Sequence, residues 1–274
     1  MKKKICIAIS IIVCLIGLIS CSSSNTKENS SGEGNYFDEI KDNGIDSISI
    51  QSVRDKSFKF LVTNDTAIDN MYKLLSKAKE SEVKSELDPD FIFEIQSGDE
   101  IKSFNYIVGS STGNFYNEEV SFTMTKRLDE AIMQNLSIIR KPRDFEYIYY
   151  NPILDVIKLN EEDMKDKKIG INFSEDIDAL KYIFSSDIEN FLEEARDITK
   201  DIEIVKNNAS EFDYVITIKN RGHDTTIYKT NIILNNNETK LEYNYYVFGE
   251  YEFKEWNYNV YENSEVPKSI LNNW

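Results

Sequence analysis

Apolar and polar positions alternate with a period of two at Ile48-Ser49-Ile50-Gln51-Ser52-Val53 and again at Phe58-Lys59-Phe60-Leu61-Val62, the pattern of half-buried strands. The period then changes. Ile68, Met71, Leu74, Leu75 and Ala78 fall on one face of a helix that starts near Thr66, with Thr66 and Asp69 in cap-like spacing. Asp88-Pro89-Asp90 breaks the chain before a strand at Phe91-Ile92-Phe93-Glu94-Ile95, a turn at Ser97-Gly98-Asp99 and a partner strand from Ile101 to Val108. Strand pieces near Phe115 and Phe122 lead to a second amphipathic helix carrying Leu128, Ala131, Ile132 and Leu136.

After Lys141-Pro142-Arg143-Asp144 the same order recurs. Lys181-Tyr182-Ile183-Phe184 resembles Lys59 to Val62, Ile188 to Phe191 resembles Ile68 to Met71, and Phe212 to Ile216 resembles Asp90 to Phe93, with Gly222 answering Gly98 as a hairpin glycine. A nearly constant offset across separate features predicts a duplication. The expected fold class is therefore α+β, with two tandem copies of an antiparallel sheet packed with amphipathic helices, over residues 37–140 and 145–274. The second copy ends in an aromatic hairpin, in which Tyr243, Tyr245 and Val247 run out, Gly249-Glu250 turns the chain, and Trp256, Tyr258 and Val260 return. This order of strand, helix, Asp-Phe or Phe-Asp-Tyr strand start and hairpin resembles the YhfM-like lipoproteins of Gram-positive bacteria. That group has no assigned catalytic residues, so the resemblance implies no site.

The N-terminal residues read differently. Lys2, Lys3 and Lys4 precede an apolar run from Ile5 to Ile19, which is too short for a comfortable membrane span and has the layout of an export signal. Leu18-Ile19-Ser20-Cys21 resembles the lipobox of bacterial lipoproteins, which implies removal of residues 1–20 and a diacylglyceryl group on Cys21. More than one acyl chain holds a protein durably on a bilayer where a single chain does not. Residues 21–36 are rich in Ser, Asn, Glu, Lys and Gly and form an expected disordered tether. The chain is thus expected on the extracytoplasmic face of the cell membrane, anchored through lipid on Cys21. Cys6 and Cys14 go with the signal, leaving no disulfide and no thiolate chemistry.

Charge narrows the partners. The chain holds 48 acidic and 32 basic residues, a formal net charge of −16, and the leader's charges are all lysines, so the exported part is more acidic still. Such a surface repels nucleic acid and anionic polymers and leaves an envelope protein, a glycan or a small ligand as partner.

Residues with the pattern of a reactive site are few. His223 is the only histidine, in a loop Asn220-Arg221-Gly222-His223-Asp224, with no second ligand or nucleophile beside it. Asp88 and Asp90 are the best local carboxylate pair, and their simpler role is to end a helix and start a strand. No twelve-residue calcium loop, phosphate loop, Gly-x-Ser-x-Gly elbow, dinucleotide fingerprint or two-histidine zinc helix is present. No cofactor is expected. The parity of the aromatic hairpin places Trp256, Tyr258, Tyr243 and Tyr245 in the core and leaves Tyr246 and Tyr261 to face solvent or a partner, with His223 a further exposed candidate. The leading expectation is a non-catalytic, membrane-anchored binding or interaction module. An envelope hydrolase using paired Asp or Glu is the alternative, and a solute receptor of an importer ranks third.

Overall fold

The computed structural model describes residues 36–136, 141–263 and 265–271. Cys21 and residues 1–35 therefore lie outside the described residues. Among the described ones no helix is long and apolar enough to cross a membrane.

The first unit opens with helix α1 (Tyr36–Asp42), where sequence reading ended the tether. Phe37 and Ile40, three apart, are both buried, and the Phe37 ring packs on Phe122 at 5.1 Å and Phe115 at 6.0 Å. Strands β1 (Ser47–Ser52) and β2 (Lys59–Val62) follow, then helix α2 (Asp65–Leu75). Its cap is Asn64 rather than Thr66: the Asn64 side chain accepts the Ala67 N–H at 3.3 Å, one of the donors a helix start leaves open. Strands β3 (Lys79–Glu80), β4 (Phe91–Ser97), β5 (Glu100–Tyr106), β6 (Phe115–Tyr116) and β7 (Ser121–Thr123) precede helix α3 (Lys126–Leu136). Gly98, at φ +59°, makes the tight turn expected between β4 and β5. The sheet order is β2-β1-β4-β5-β6-β7-β3, antiparallel throughout, and Leu128 and Ile132 of α3 close its core.

The second unit is built around a helix that sequence reading missed, α4 (Phe145–Leu159). Phe145, Ile148, Tyr149, Tyr150, Ile153, Val156 and Ile157 are all buried, so it is apolar on most of its circumference. A short α5 (Glu161–Met164), β8 (Ile169–Asn172), α6 (Ser185–Ile198), β9 (Ile202–Ile204), β10 (Tyr214–His223), β11 (Ile227–Asn236), β12 (Glu242–Glu252), β13 (Glu255–Glu262) and α7 (Lys268–Leu271) complete it. The order is β13-β12-β11-β10-β8-β9.

The α+β class and the two tandem sheet-and-helix units are as expected, and their details differ from a superposable duplication. In the second sheet β8 runs parallel to both β10 and β9, with α6 as the crossover from β8 to β9 that parallel neighbours require. The strand order differs from that of the first sheet. Lys181-Tyr182-Ile183-Phe184, matched in sequence to a strand, is a 3-10 turn over Leu180–Tyr182 running into the start of α6. Gly222 marks a bulge inside β10, where the register shifts, and the turn beyond it is closed by Asp224, which accepts the N–H groups of Thr226 and Ile227 at 2.7 Å each.

The aromatic hairpin turns at Phe253 and Lys254, both at positive φ, and Gly249 sits inside β12. A Cβ on Gly249 would come within 2.9 Å of Ile148 Cδ1, so that glycine serves the approach of α4 to the sheet. Trp256 and Tyr245 are buried as expected. Tyr258 is half-buried, donating its hydroxyl to Asp155 at 2.6 Å, and Tyr243, near the strand's exposed start, is 45% exposed.

Candidate functional site

Where the two units meet, one carboxylate organises the contact. Asp90 enters β4 with only 2% of its surface exposed. Its Oδ1 accepts from Arg54 Nη1 at 2.6 Å and from the Ser185 N–H at 2.8 Å, and its Oδ2 accepts from the Val108 N–H at 2.8 Å. Ser185 is the first residue of α6, whose flanking Phe184 offers no capping side chain. An acid from the first unit therefore caps a helix of the second, placing negative charge at the positive end of the helix dipole. Arg54 Nη2 donates to Ser185 Oγ at 2.5 Å, and that hydroxyl donates to the Asp88 carbonyl at 2.7 Å. Burial pushes the Asp90 carboxyl up, and the Arg54 guanidinium with the Val108 and Ser185 N–H groups pulls against it. Phe184 completes the junction by inserting into the first unit's core, 6.3 Å from the Phe91 ring.

Beside this clamp lies a groove of about 1000 Å³ lined by both units. Leu87 and Pro89 come from the first, and Phe173, Ile188, Leu192 and Ile204 supply apolar surface from the second. The rim charges are largely paired with one another or with neighbours: Lys206 with Asp88 at 2.5 Å across the units, Arg196 with Glu189 at 3.1 Å, and Glu203 with Lys168 at 3.6 Å. One wall is the run from Glu203 to Asn208, the end of β9 and the turn after it. This strand is the last of its sheet. Its ladder with β8 uses the Asp201 carbonyl, which accepts from Ile169 N–H, and the Val205 N–H, which donates to the Ile171 carbonyl. By the alternation of a strand, the Ile204 N–H and C=O point the other way, where the sheet has no further strand among the described residues.

Asp88, Asp90, Tyr246, Tyr261 and His223 do not converge on one site. Asp88 is exposed and turned to Lys206 while Asp90 is locked in the clamp, so the local pair is divided between two tasks. Tyr246 and Tyr261 do meet, directly opposite each other across β12 and β13, and both are half-buried. His223 pairs with Tyr228, whereas Tyr246 pairs with Asn231, three residues further along β11. An odd separation puts them on opposite faces of the sheet, so His223 and the two tyrosines form no common surface. Arg54 and Ser185 were missed by sequence reading, and no local pattern marks either. Among the described residues no grouping of three or more His, Cys, Asp or Glu side chains is suited to a metal ion.

No curated protein and no solved structure matches the chain. A family model does match: residues 41–142, which hold the first sheet with Arg54 and Asp90 and stop short of α4, resemble the YhfM protein family.

Proposed function

We propose that this chain is a lipoprotein held on the extracytoplasmic face of the cell membrane through Cys21, and that it binds an extended polypeptide segment in the groove between its two units. The observation that carries the binding role is the outer edge of β9, unpaired among the described residues, in a run that forms a wall of that groove. A peptide added there finds backbone donors and acceptors, with apolar surface from Leu87, Ile188 and Leu192 for alternate side chains. The paired rim charges leave the groove without a strong field of its own, which suits a backbone better than an ion. A volume of about 1000 Å³ stands at the upper end of the range for ligand sites, about 300–1,000 Å³.

The anchor and the groove are tested separately. Cys21→Ala is expected to abolish lipid labelling and to release the protein from the membrane fraction or leave it unprocessed; an acylated, membrane-bound variant contradicts the anchor. For the groove, the purified full chain is probed with an array of ten-residue peptides, and the best binder is titrated against Ile204→Pro. Proline removes the outward N–H and leaves the ladder with β8 intact. The expected result is affinity at least about tenfold weaker with an unchanged melting profile. Equal affinity in the variant, or no peptide bound by the parent, contradicts the reading.

A further inference from the structure

The second sheet ends in β13, and among the described residues no further strand lies beyond it. The hairpin fixes which backbone groups this strand leaves open. Phe253 and Lys254 are the two central residues of the turn, both at positive φ, and a two-residue turn is closed by bonding between the residues that flank it, Glu252 and Glu255. Bonding alternates from there along the antiparallel ladder, so Glu255, Asn257, Asn259 and Tyr261 bond to β12, while the N–H and C=O groups of Trp256, Tyr258 and Val260 point outward. No other backbone group among the described residues meets them.

Edge strands are ordinarily kept from pairing by shortness, Lys, Pro or a bulge. β2 has four residues and carries Lys59, β3 has two and carries Lys79, and β9 has three. β13 has eight residues, no Lys and no Pro, and it pairs with β12 without a register shift. Two aromatic rings beside it are left uncovered. Tyr147 of α4, 47% exposed, packs edge-on to Tyr258 at 6.1 Å, and Phe253 at the hairpin tip is 94% exposed.

The strand is also complementary to itself. Laid antiparallel on a second copy about a two-fold axis at Tyr258, it sets Trp256 opposite the partner's Val260, Asn257 opposite the partner's Asn259, and Tyr258 opposite the partner's Tyr258. Apolar side chains then face apolar ones on the α4 side and amides face amides on the other, the pairings that stabilise neighbouring strands. Lys254 at each hairpin tip comes opposite the partner's Glu262, and no like charges face each other across the axis. A slip of one residue would set the core side of one copy against the outer side of the other, and a slip of two would part Lys254 from Glu262.

We infer that the chain pairs with a second copy of itself, edge to edge through β13 about a two-fold axis at Tyr258, joining two six-stranded sheets into one. Tyr147 and Phe253 add apolar surface on either side of the joined edge. The pairing is independent of the proposed peptide groove, which uses β9 at the opposite end of the same sheet.

The test is sedimentation velocity of the purified full chain in detergent over a range of concentrations, where a monomer–dimer equilibrium is expected. Asn257 and Asn259 have exposed side chains, so Asn257→Lys combined with Asn259→Lys should leave the melting profile of the monomer unchanged. It sets lysines opposite each other on both sides of the axis, and dimer affinity should fall at least about tenfold. Added lysines reduce the self-repulsion of an acidic chain, so net charge alone would favour association and the weakening reports on this edge. Asn257→Lys combined with Asn259→Glu sets opposite charges across the axis and should dimerise at least as tightly as the parent. Ile204→Pro, at the other edge, should dimerise as the parent does. A chain that stays monomeric throughout, a dimer indifferent to the two lysines, a Lys and Glu combination as weak as the two lysines, or loss of the dimer in Ile204→Pro overturns the inference.

Discussion

Asp90 is a carboxylate with 1% of its side chain exposed, facing an arginine at 17%. Taking both charges out of water is costly, and the pair persists because both oxygens are hydrogen-bonded, Oδ1 by Arg54 and the Ser185 N–H and Oδ2 by the Val108 N–H. Removing only the acid strands the guanidinium and uncaps α6. Asp90→Ala is therefore expected to cost about 3–5 kcal/mol, measured by denaturant unfolding, with early loss of protection in α6. A cost within about 0.5 kcal/mol, typical of surface changes, would show that the clamp does not hold the units together. Sequence reading singled out Asp90 and saw its local job of starting a strand, which it does. Its longer-range job depends on Arg54, 36 residues back, and Ser185, 95 residues on. No periodicity or motif links positions so far apart, which is why the residue was legible and its role was not.

Among the elements, β4, β5, α2 and α3 each have a wetter side, so their periods of two or 3.6 show in the order of residues. α4 shows less contrast: its buried residues are apolar, but apolar Tyr147 and Leu159 also stand exposed, and Pro152 reads locally as a break. The true hairpin turn was hidden for the opposite reason. Phe253 and Lys254 hold left-handed backbone usually given to Asn or Gly, while the glycine that attracted the reading, Gly249, is needed for packing. α4 rests on β12 and β13 through Trp256, which is 4% exposed, packs edge-on to Tyr251 at 5.3 Å and donates its indole N–H to the Arg143 carbonyl at 2.6 Å. Trp256→Ala should cost about 3–5 kcal/mol and lower the melting temperature by many degrees. A stable Trp256→Ala variant that has lost binding to wall fragments would instead make the hairpin a glycan platform and remove it from the core.

At the scale of the whole molecule, the near-constant sequence offset between halves identified two units of similar makeup but not their wiring. Strand pairing is decided by which edges meet, and the parallel β10-β8-β9 arrangement leaves β9 as an open edge that the first unit's all-antiparallel sheet does not reproduce. The groove exists because the clamp brings Leu87 and Asp88 of one unit against that edge of the other. It was invisible in sequence for the same reason as the clamp. The acidic balance of the chain, at −16, belongs to this scale too, since like charge works against approach of an anionic polymer. The central claim is that a polypeptide pairs with β9, and amide hydrogen exchange at Ile204 tests it most directly. This N–H faces away from the β8 ladder, so in the free protein it should exchange readily beside a protected Val205. With the best-binding peptide present at saturation, the account predicts strong slowing at Ile204 and little change at Val205; a bound peptide that leaves Ile204 exchange unaltered would contradict it.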